Sequence, residues 1–573
     1  VQTVDFTTLI AVCSDIRAHW LPSRLEKVYQ RDRYTIAIAL RTLVGRGWLD
    51  ISWHPQAARM CIGDPPPRLP DTFTFSQQLI HMLGGLALVA VEAIAPWERA
   101  VDLQFARRPG ESPLYHLYVE IMGKYSNVVL TDTDNLIITV AHQVNEKKSS
   151  VRPLLTGQIY EKPPKLTNTI PTLEESLQRW QEQVSLVPGA IKKQLLKNYR
   201  GLSPALLESM LHCAGINSNS TNDSLTPDAW QELFKYWQLW LQALTAEKFQ
   251  PVTTAHGYNV MGWQAVETVN DIQELLNHYY INQLNQQQFS QLRHQLSQKL
   301  GNMLAKLGIK KQTFVDRLQQ SQKADEYRQQ ADLLMAYLQS WQPGMAEISL
   351  PDFETGEPVN IALQVDKTAV QNAQALYKQH QKLKRARDVV KPLLTEVQGE
   401  IDYLQQVEAA IAQVDEYKSS ADLQTLEEIH QELIQQKYLD DQEYPRRSSK
   451  DATSNFHRYQ TPSGLEVLIG RNNSQNDYLS FRVAGDYDLW FHAQEIPGSH
   501  VLLRLEPGTV PESTDLQFTA NLAAYYSRAR QSEQVPIVYT QPKHVYKPKG
   551  AKPGIAIYKQ ERILWGQPQL VKI

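Results

Sequence analysis

A multidomain α+β protein carrying a long antiparallel coiled-coil arm is the fold class that this 573-residue sequence predicts. Three observations predict it. The length exceeds what one hydrophobic core organises, at roughly 150 residues per domain. Stretches at both ends mix short β-rich runs with helical patterns. Between them, Glu274 to Gln342 contains no proline and no glycine except Gly301 and Gly308, while Phe289, Leu292, Leu296, Leu300, Met303 and Leu307 recur at steps of three and four. Hydrophobic residues make up 42% and charged residues 21%, an ordinary balance for a chain that folds in water, which argues against wholesale disorder.

Residues 1–170 predict an α+β domain. Tyr34 to Leu40 alternates small or polar with apolar side chains, as a half-buried strand does. Tyr115–Glu120 and Asn127–Thr131 read the same way, and Phe75–Leu83 reads as a helix stopped by Gly84-Gly85. Asp64–Pro70 and Tyr160–Pro164 are loops, because proline cannot donate to a ladder. Residues 171–272 read as helical and rich in tryptophan. Within them, a helix from Gln194, a turn at Arg200-Gly201 and a second helix opened by Ser203-Pro204 match a helix-hairpin-helix, whose turn amides can meet a phosphate. A plain αα-hairpin fits as well. Residues 273–440 predict the arm. After a strand-like interruption at about 345–366, the apolar seam resumes in Leu394, Val397, Ile401, Leu404 and Ile411. At about 1.5 Å per residue, each helix reaches on the order of 100 Å. Residues 441–456 are small and polar and predict a linker. Residues 457–573 predict a second α+β domain, with strands at Leu465–Ile469, Tyr478–Val483 and Val535–Tyr539 and a helix at Asp515–Arg530.

The formal net charge of -3 gives no global positive field, so nucleic-acid binding must use local patches. From Arg528 onward, nine basic residues face only Glu533 and Glu561. Lys543, Lys547, Lys549 and Lys552 are interleaved there with tyrosine, glycine and proline, a composition suited to tracking a phosphate backbone. A second patch, Lys378, Lys382, Lys384, Arg385, Arg387 and Lys391 against Asp388, fits phosphate contact and a plain exposed helix face equally. His492 and His500 could converge across the Pro497-Gly498 turn, but no third ligand at metal spacing accompanies them and no carboxylate supports Ser499 as a nucleophile. Trp490 and Phe491 read as core, and Ser499 and His500 as residues of a demanding turn facing a partner. Glu98-Arg99 and Glu120 to Asn127 place acids beside cations that could read base edges or a ribose, or form a structural salt bridge.

No phosphate-binding lysine loop, dinucleotide-binding glycine pattern or paired catalytic carboxylates stand out, so neither an enzyme nor a cofactor or metal is expected. Cys13, Cys61 and Cys213 are too few for a disulfide framework and read as free thiols. The longest apolar run, Leu83–Ala95, contains Glu92 and is too short to span a bilayer. With no export signature at the start, the cytoplasm is the expected location.

Taken in order, these motifs resemble the NFACT family, the RqcH/NEMF proteins of ribosome-associated quality control, also catalogued in bacteria as fibronectin-binding A proteins. Asp488-Leu-Trp-Phe-His-Ala with Pro-Gly-Ser-His-Val501 is similar to the hallmark of the family's C-terminal NFACT-R domain. Glu120-Ile-Met-Gly-Lys-Tyr-Ser-Asn127, Arg152 to Gly157 and Tyr160 to Pro164 resemble its NFACT-N domain, and Asn372 to Ala386 resembles the start of its second coiled-coil helix.

The resemblance implies a factor that binds the large ribosomal subunit obstructed by peptidyl-tRNA and recruits alanyl-tRNA for template-free C-terminal tailing. The ribosome would make the bond. Glu98, Arg99, Glu120, Met122, Lys124 and Asn127 would handle tRNA, with the helix-hairpin-helix residues Arg200, Gly201 and Ser203. Trp490, His492, Ser499 and His500 would meet ribosomal RNA together with the basic lysines. A monomer acting on the ribosome beside a small RNA-binding helper protein, away from membranes, is the implied assembly. The family's Asp-Arg pair stands here as Glu98-Arg99, one methylene longer, and its first-domain Arg-Lys as Ile80-His81. Two other classes compete with this reading: a fibronectin-binding surface adhesin and a DNA-glycosylase-like nucleic-acid-binding protein.

Overall fold

The computed structural model describes residues 1–67, 70–145, 152–164, 167–440 and 456–571. All but the last residue of the linker expected at 441–456, and Lys572 of the basic tail, lie outside the described residues. The chain forms two compact units, Val1–Leu284 and Asn285–Ile573. Both mix helices and sheets.

The first unit opens with α1 (Phe6–His19), followed by β1 (Ser23–Asp32), β2 (Thr35–Arg41), β3 (Arg46–Ser52) and β4 (Arg59–Gly63). After α2 (Thr74–Leu83) come β5 (Ala87–Ala93), β6 (Ala100–Ala106), β7 (Tyr115–Glu120), β8 (Asn127–Asp132) and β9 (Ile137–Val140). These nine strands form one sheet in the order β4-β3-β2-β1-β5-β6-β7-β8-β9. β1 and β5 share only two paired positions, Ser23 with Leu88 and Arg24 with Ala87. The apolar stripe of α1, Leu9, Val12 and Ile16, packs with Ile36, Ile38 and Leu40 of β2. β2 departs from the half-buried strand expected. Ala37 and Ala39 are fully buried too, so both faces are covered and the small residues suit a close approach rather than solvent.

Four helices follow: α3 (Leu177–Ser185), α4 (Ile191–Asn198), α5 (Pro204–Cys213) and α6 (Pro227–Ala246). Their core is aromatic. Trp180, Trp230, Trp237 and Trp240 bury together with Leu195, Leu207 and Met210. A small sheet of β10 (Val252–Thr254), β11 (Gly257–Asn259) and β12 (Glu267–Thr268) precedes α7 (Ile272–Gln322).

Asp5 ties this helical group to α1. Its Oδ1 accepts from the Thr8 N–H at 2.8 Å, capping α1, and its Oδ2 accepts from the Ser203 hydroxyl at 2.6 Å. The same Ser203 oxygen accepts from the Leu206 N–H at 3.0 Å and so caps α5. One buried carboxylate therefore serves two helix starts. The Trp240 indole adds a 2.8 Å bond to the Thr7 hydroxyl.

In the second unit α7 continues, followed by α8 (Ala324–Ala336), β13 (Glu347–Pro351), β14 (Pro358–Ala362), α9 (Ala369–Gln413) and α10 (Ser420–Gln435). β13 and β14 pair antiparallel, and Ile348, Leu350 and Ile361 pack against Leu333 and Leu334 of α8 and Ala373 of α9. α9 starts on a capping box: the Thr368 hydroxyl accepts from the Gln371 N–H at 3.3 Å and Gln371 Oε1 accepts from the Thr368 N–H at 2.9 Å. Phe289, Leu292, Leu296 and Leu300 of α7 share a buried cluster with Tyr403, Leu404 and Val407 of α9 and with Leu426 and Ile429 of α10. Further along, Leu304, Leu307 and Phe314 share one with Val390, Val397 and Ile401. Rising numbers on α7 meet falling numbers on α9, so the two helices run antiparallel along an apolar seam. Pro392 inside α9 removes one rung of its backbone ladder.

The chain then builds a six-stranded antiparallel sheet from β15 (His457–Gln460), β16 (Glu466–Ile469), β17 (Leu489–Ala493), β18 (Val501–Leu503), β19 (Val535–Thr540) and, after the short pair β20 (Val545–Tyr546) and β21 (Ile557–Tyr558), β22 (Arg562–Gly566). Its order is β15-β16-β18-β17-β19-β22. α11 (Asn473–Tyr478) lies between β16 and β17, and α12 (Ser513–Tyr525) between β18 and β19. Ala520 and Ala523 of α12 pack with Phe491, Val501 and Ile537 of the sheet.

The strand expected at Tyr478–Val483 is instead the end of α11 and a π-helical turn, Leu479–Val483. Asn472 caps α11 by accepting from the Gln475 N–H at 2.9 Å. The turn buries neighbouring Leu479 and Ser480 alike, whereas an extended strand would point them to opposite faces. Among the described residues, no helix of the protein is long and apolar enough to cross a membrane.

Asp5→Ala removes an acceptor at two helix starts and leaves the buried Ser203 hydroxyl without its acceptor. The expected loss is about 2 to 4 kcal/mol in the first unit, read by urea unfolding monitored through its buried tryptophans. Asp5→Asn, which keeps one carbonyl oxygen, should lose less.

Candidate nucleic-acid interface

In the first unit the expected residues gather around the loop before β6 and the turn between β7 and β8. The loop is set by Trp97, held at φ 62°. Its ring stacks on Phe6 at 4.8 Å. Gly201, at φ +75°, fits beneath the same ring, where a Cβ would lie 2.5 Å from Trp97 Cε3. The turn between α4 and α5 is thus seated on the loop. Glu98 is buried, with Oε1 3.8 Å from the Arg200 guanidinium. Arg200 also donates from Nε to the Asn168 carbonyl at 2.8 Å. Arg99 is half-buried, donates from Nη1 to the Val4 carbonyl at 3.3 Å and accepts at its own carbonyl from the Ile121 N–H at 2.9 Å. This last bond joins the loop to the following turn.

That turn, Gly123–Tyr125, is framed by buried polar groups. Glu120 receives Arg152 through two hydrogen bonds, 3.0 Å to Oε2 and 2.5 Å to Oε1, and the Tyr160 hydroxyl at 2.8 Å. Tyr160 stacks on Tyr118 at 4.1 Å. Burial first, and then the neighbouring carboxylate, push the Tyr160 hydroxyl's pKa up. Asn127 faces inward: its Nδ2 donates to the His142 carbonyl at 2.8 Å and its Oδ1 accepts the His142 N–H at 3.0 Å. Met122 is half-buried and its N–H donates to the Ser126 hydroxyl at 2.8 Å. Glu120 and Asn127 therefore shape the turn, and Lys124 is the charged group it presents to solvent. Its ammonium lies 5.0 Å from the ring of Tyr125, which is 71% exposed. Sequence reasoning passed over Tyr125. The signal was there, since an aromatic following glycine and lysine between two strands has no core to enter.

In the second unit the Trp490 to His500 stretch turns inward. Trp490 and His500 are each 1% exposed. The Trp490 indole donates to Ser480 Oγ at 2.9 Å, and the same oxygen shares a 2.7 Å hydrogen bond with His500 Nδ1, which also lies 3.2 Å from the Asn476 carbonyl oxygen. His500 N–H donates to Asn476 Oδ1 at 3.0 Å. Ser499 is also buried, and it donates to Gln413 Oε1 of α9 at 3.2 Å, while the Gly498 N–H donates to Gln406 Oε1 at 3.1 Å. The partner these residues face is α9 of the same chain. Burial lowers His500 to about 3, with His492 adding to it, and lowers the half-buried His492 to about 4.

The four lysines divide. Lys547 pairs with Asp477, which also accepts the Gly554 N–H at 3.0 Å. Lys552 bonds the Tyr438 hydroxyl and sits over the rings of Tyr438 at 4.1 Å and Tyr403 at 5.0 Å; burial lowers its pKa. Lys543 and Lys549 are exposed, with no ion pair among the described residues. Two lysines anchor the loop and two are presented by it.

The lowered histidines set the sign of an acid dependence. Between their folded values and the ordinary 6.5, the unfolded chain binds more protons, so their stabilisation is complete above about pH 6.5 and is lost as pH falls toward about 4 for His492 and about 3 for His500. Each such group contributes at most about 1.4 kcal/mol per pH unit. Urea unfolding of the second unit at a series of pH values should show this acid limb, and His500→Gln should flatten it despite lower stability at pH 7.

Comparison with known proteins adds kinship to this geometry. The family described as the NFACT N-terminal and middle domains matches residues 5–452, and the NFACT protein RNA binding domain matches residues 455–559. The Rqc2 homolog RqcH of Bacillus subtilis is 29% identical over 559 residues, covering 95% of this chain and 94% of that protein. Its namesake in Streptococcus pneumoniae is 28% identical over 578 residues, covering 98% and 97%. The solved C-terminal part of the fibronectin/fibrinogen-binding protein from Streptococcus suis is 30% identical, covers 49% of this chain and 95% of its own length, and has a TM-score of 0.38. With family matches across both the first 452 residues and the C-terminal sheet, the chain belongs to the NFACT family.

Proposed function

We propose that this protein is a ribosome-associated quality control factor that binds the large ribosomal subunit obstructed by peptidyl-tRNA. There it recruits alanyl-tRNA for template-free C-terminal tailing of the stalled chain. The observation that carries the reading is kinship with Rqc2 homolog RqcH over 95% of the chain, joined to a C-terminal NFACT protein RNA binding domain.

On this reading the protein is not an enzyme. It selects and positions tRNA in the cytoplasm, and the ribosome forms the peptide bond. In the first unit the half-buried Arg99 and the exposed Lys124-Tyr125 pair supply the charge and ring that RNA recognition uses. Glu98 and Glu120 act as positioning residues, because their carboxylates meet Arg200 and Arg152. The helix pair α4–α5 is read as a helix-hairpin-helix, and α7 with α9 as an antiparallel coiled-coil arm that spans part of the subunit. Lys543 and Lys549 contact ribosomal RNA.

The test is sedimentation of the tagged protein with large subunits from stalled cells, followed by sequencing of the bound tRNA. A single dominant alanine isoacceptor is the expected result; a mixture of all tRNAs would limit the role to recognising obstructed subunits. Arg99→Ala should abolish tails on a stalled reporter while leaving subunit association largely intact, and unchanged tails would refute the role given to Arg99.

A further inference from the structure

We infer that β22, an edge strand of the C-terminal sheet, pairs antiparallel with β22 of a second copy of this chain, with Ile563 opposite the second copy's Trp565. The pairing does not rest on the proposed ribosomal function.

β22 ends the sheet order beyond β19. Two observations fix which way its backbone groups point. Pro536 of β19 stands opposite Trp565, has no N–H to give, and turns its carbonyl the other way, to the Gln494 N–H at 2.9 Å. Trp565 therefore directs its own N–H and C=O away from β19, and its carbonyl accepts from Gln517 Nε2 at 2.7 Å. Backbone groups alternate along a strand, so Ile563 points its N–H and C=O the same way. Among the described residues no strand pairs on that side, and no partner meets the Ile563 groups or the Trp565 N–H.

Side chains alternate too. Leu564 packs in the cluster beneath α12, whereas Ile563 and Trp565 share the opposite face and are 51% and 57% exposed. Proteins ordinarily guard an edge strand with charge or proline. β15, at the other end of the sheet order, exposes Arg458 and Gln460, while the middle of β22, Ile563-Leu564-Trp565, carries no such guard.

Open backbone donors and acceptors in a row are met by another extended strand, which supplies both at the same spacing. A phosphate strand accepts only and would leave the Ile563 carbonyl unmet. β22 is its own complement. With a two-fold axis at Leu564, the Ile563 N–H donates to the second copy's Trp565 carbonyl, the Trp565 N–H donates to the second copy's Ile563 carbonyl, and symmetry repeats both bonds. A carbonyl has two lone pairs, so the Gln517 contact is kept. Ile563 and Trp565 become cross-strand neighbours on one face, a β-branched and aromatic pair of the kind that stabilises sheets. Arg562 comes opposite Gly566, so no like charges meet. The operation closes on itself, which yields a dimer and not a fibre. A strand of 5 residues buries little surface, so the dimer is concentration-dependent and not obligate.

The experiment is sedimentation velocity of the full chain, freed of RNA, between about 1 and 100 μM, a range that brackets the affinities of small interfaces. The weight-average mass should climb with concentration toward twice that of one chain. Ile563→Pro removes an N–H that β19 does not use, and Trp565→Lys places a charge at an exposed position. Each should weaken the dimer roughly 10-fold or more, with circular dichroism and thermal unfolding verifying an intact fold. If Ile563→Pro does not fold, Ile563→Lys takes its place. A single-chain mass at every concentration overturns the pairing and leaves the edge to a strand of a different protein. A dimer that neither variant weakens is built on another surface, which overturns the pairing too.

Discussion

A carboxylate taken out of water must be met by donors, and much of this protein is organised by that constraint. Glu432 on α10 is the fullest case. Its two oxygens accept from the Tyr403 hydroxyl at 2.8 Å, the Ser474 N–H at 3.0 Å, the Ser474 hydroxyl at 2.7 Å and Asn473 Nδ2 at 3.3 Å. One side chain thereby fastens α9, α10 and the start of α11, so the C-terminal sheet is carried by the helix pair rather than merely following it in the chain. Burial raises the pKa of Glu432, and the surrounding donors oppose the rise. Asp5 and Glu120 repeat the device in the first unit, one at two helix starts and one beneath the β7–β8 turn.

The same constraint separates the charges that hold the molecule together from those it offers outward. Lys552 between two tyrosines and Arg152 on Glu120 resemble RNA-binding cations in composition, yet both are internal fasteners. What they fasten is a loop and a turn whose remaining cations, Lys543, Lys549 and Lys124, are exposed. Rigid support behind a few presented charges lowers the ordering cost when a phosphate strand arrives.

This division explains what was legible in the sequence. The α7–α9 seam was readable because burial along a helix repeats every three to four residues, and Phe289, Leu292, Leu296 and Leu300 are buried as that spacing requires. The strands β7 and β8 stand where alternation placed them, but not as half-buried strands, since Leu117–Glu120 and Asn127–Thr131 are buried at every position and both faces are covered. Tyr478–Val483 misled because its apolar residues alternate, while what decides its conformation lies outside that run: the cap at Asn472 just before it, and the bonds to Ser480 from Trp490 and His500, 10 and 20 positions on. The site was legible as motifs but not as roles. Nothing local to Ser499 announces Gln413, 86 positions away, and nothing near Glu120 announces Arg152. Ion-pair partners are a property of the tertiary fold, so a cation's availability can be judged only after folding.

The nine-stranded sheet has one joint unlike its others. Every other neighbouring pair of its strands is stitched at three or more positions, whereas β1 and β5 meet at two. Few backbone amides would be exposed by parting the sheet there, so thermal opening should begin along that line and divide it into four- and five-stranded leaves. Arg99 and Lys124 flank strands of the five-stranded leaf, so both groups lie on the same side of that joint.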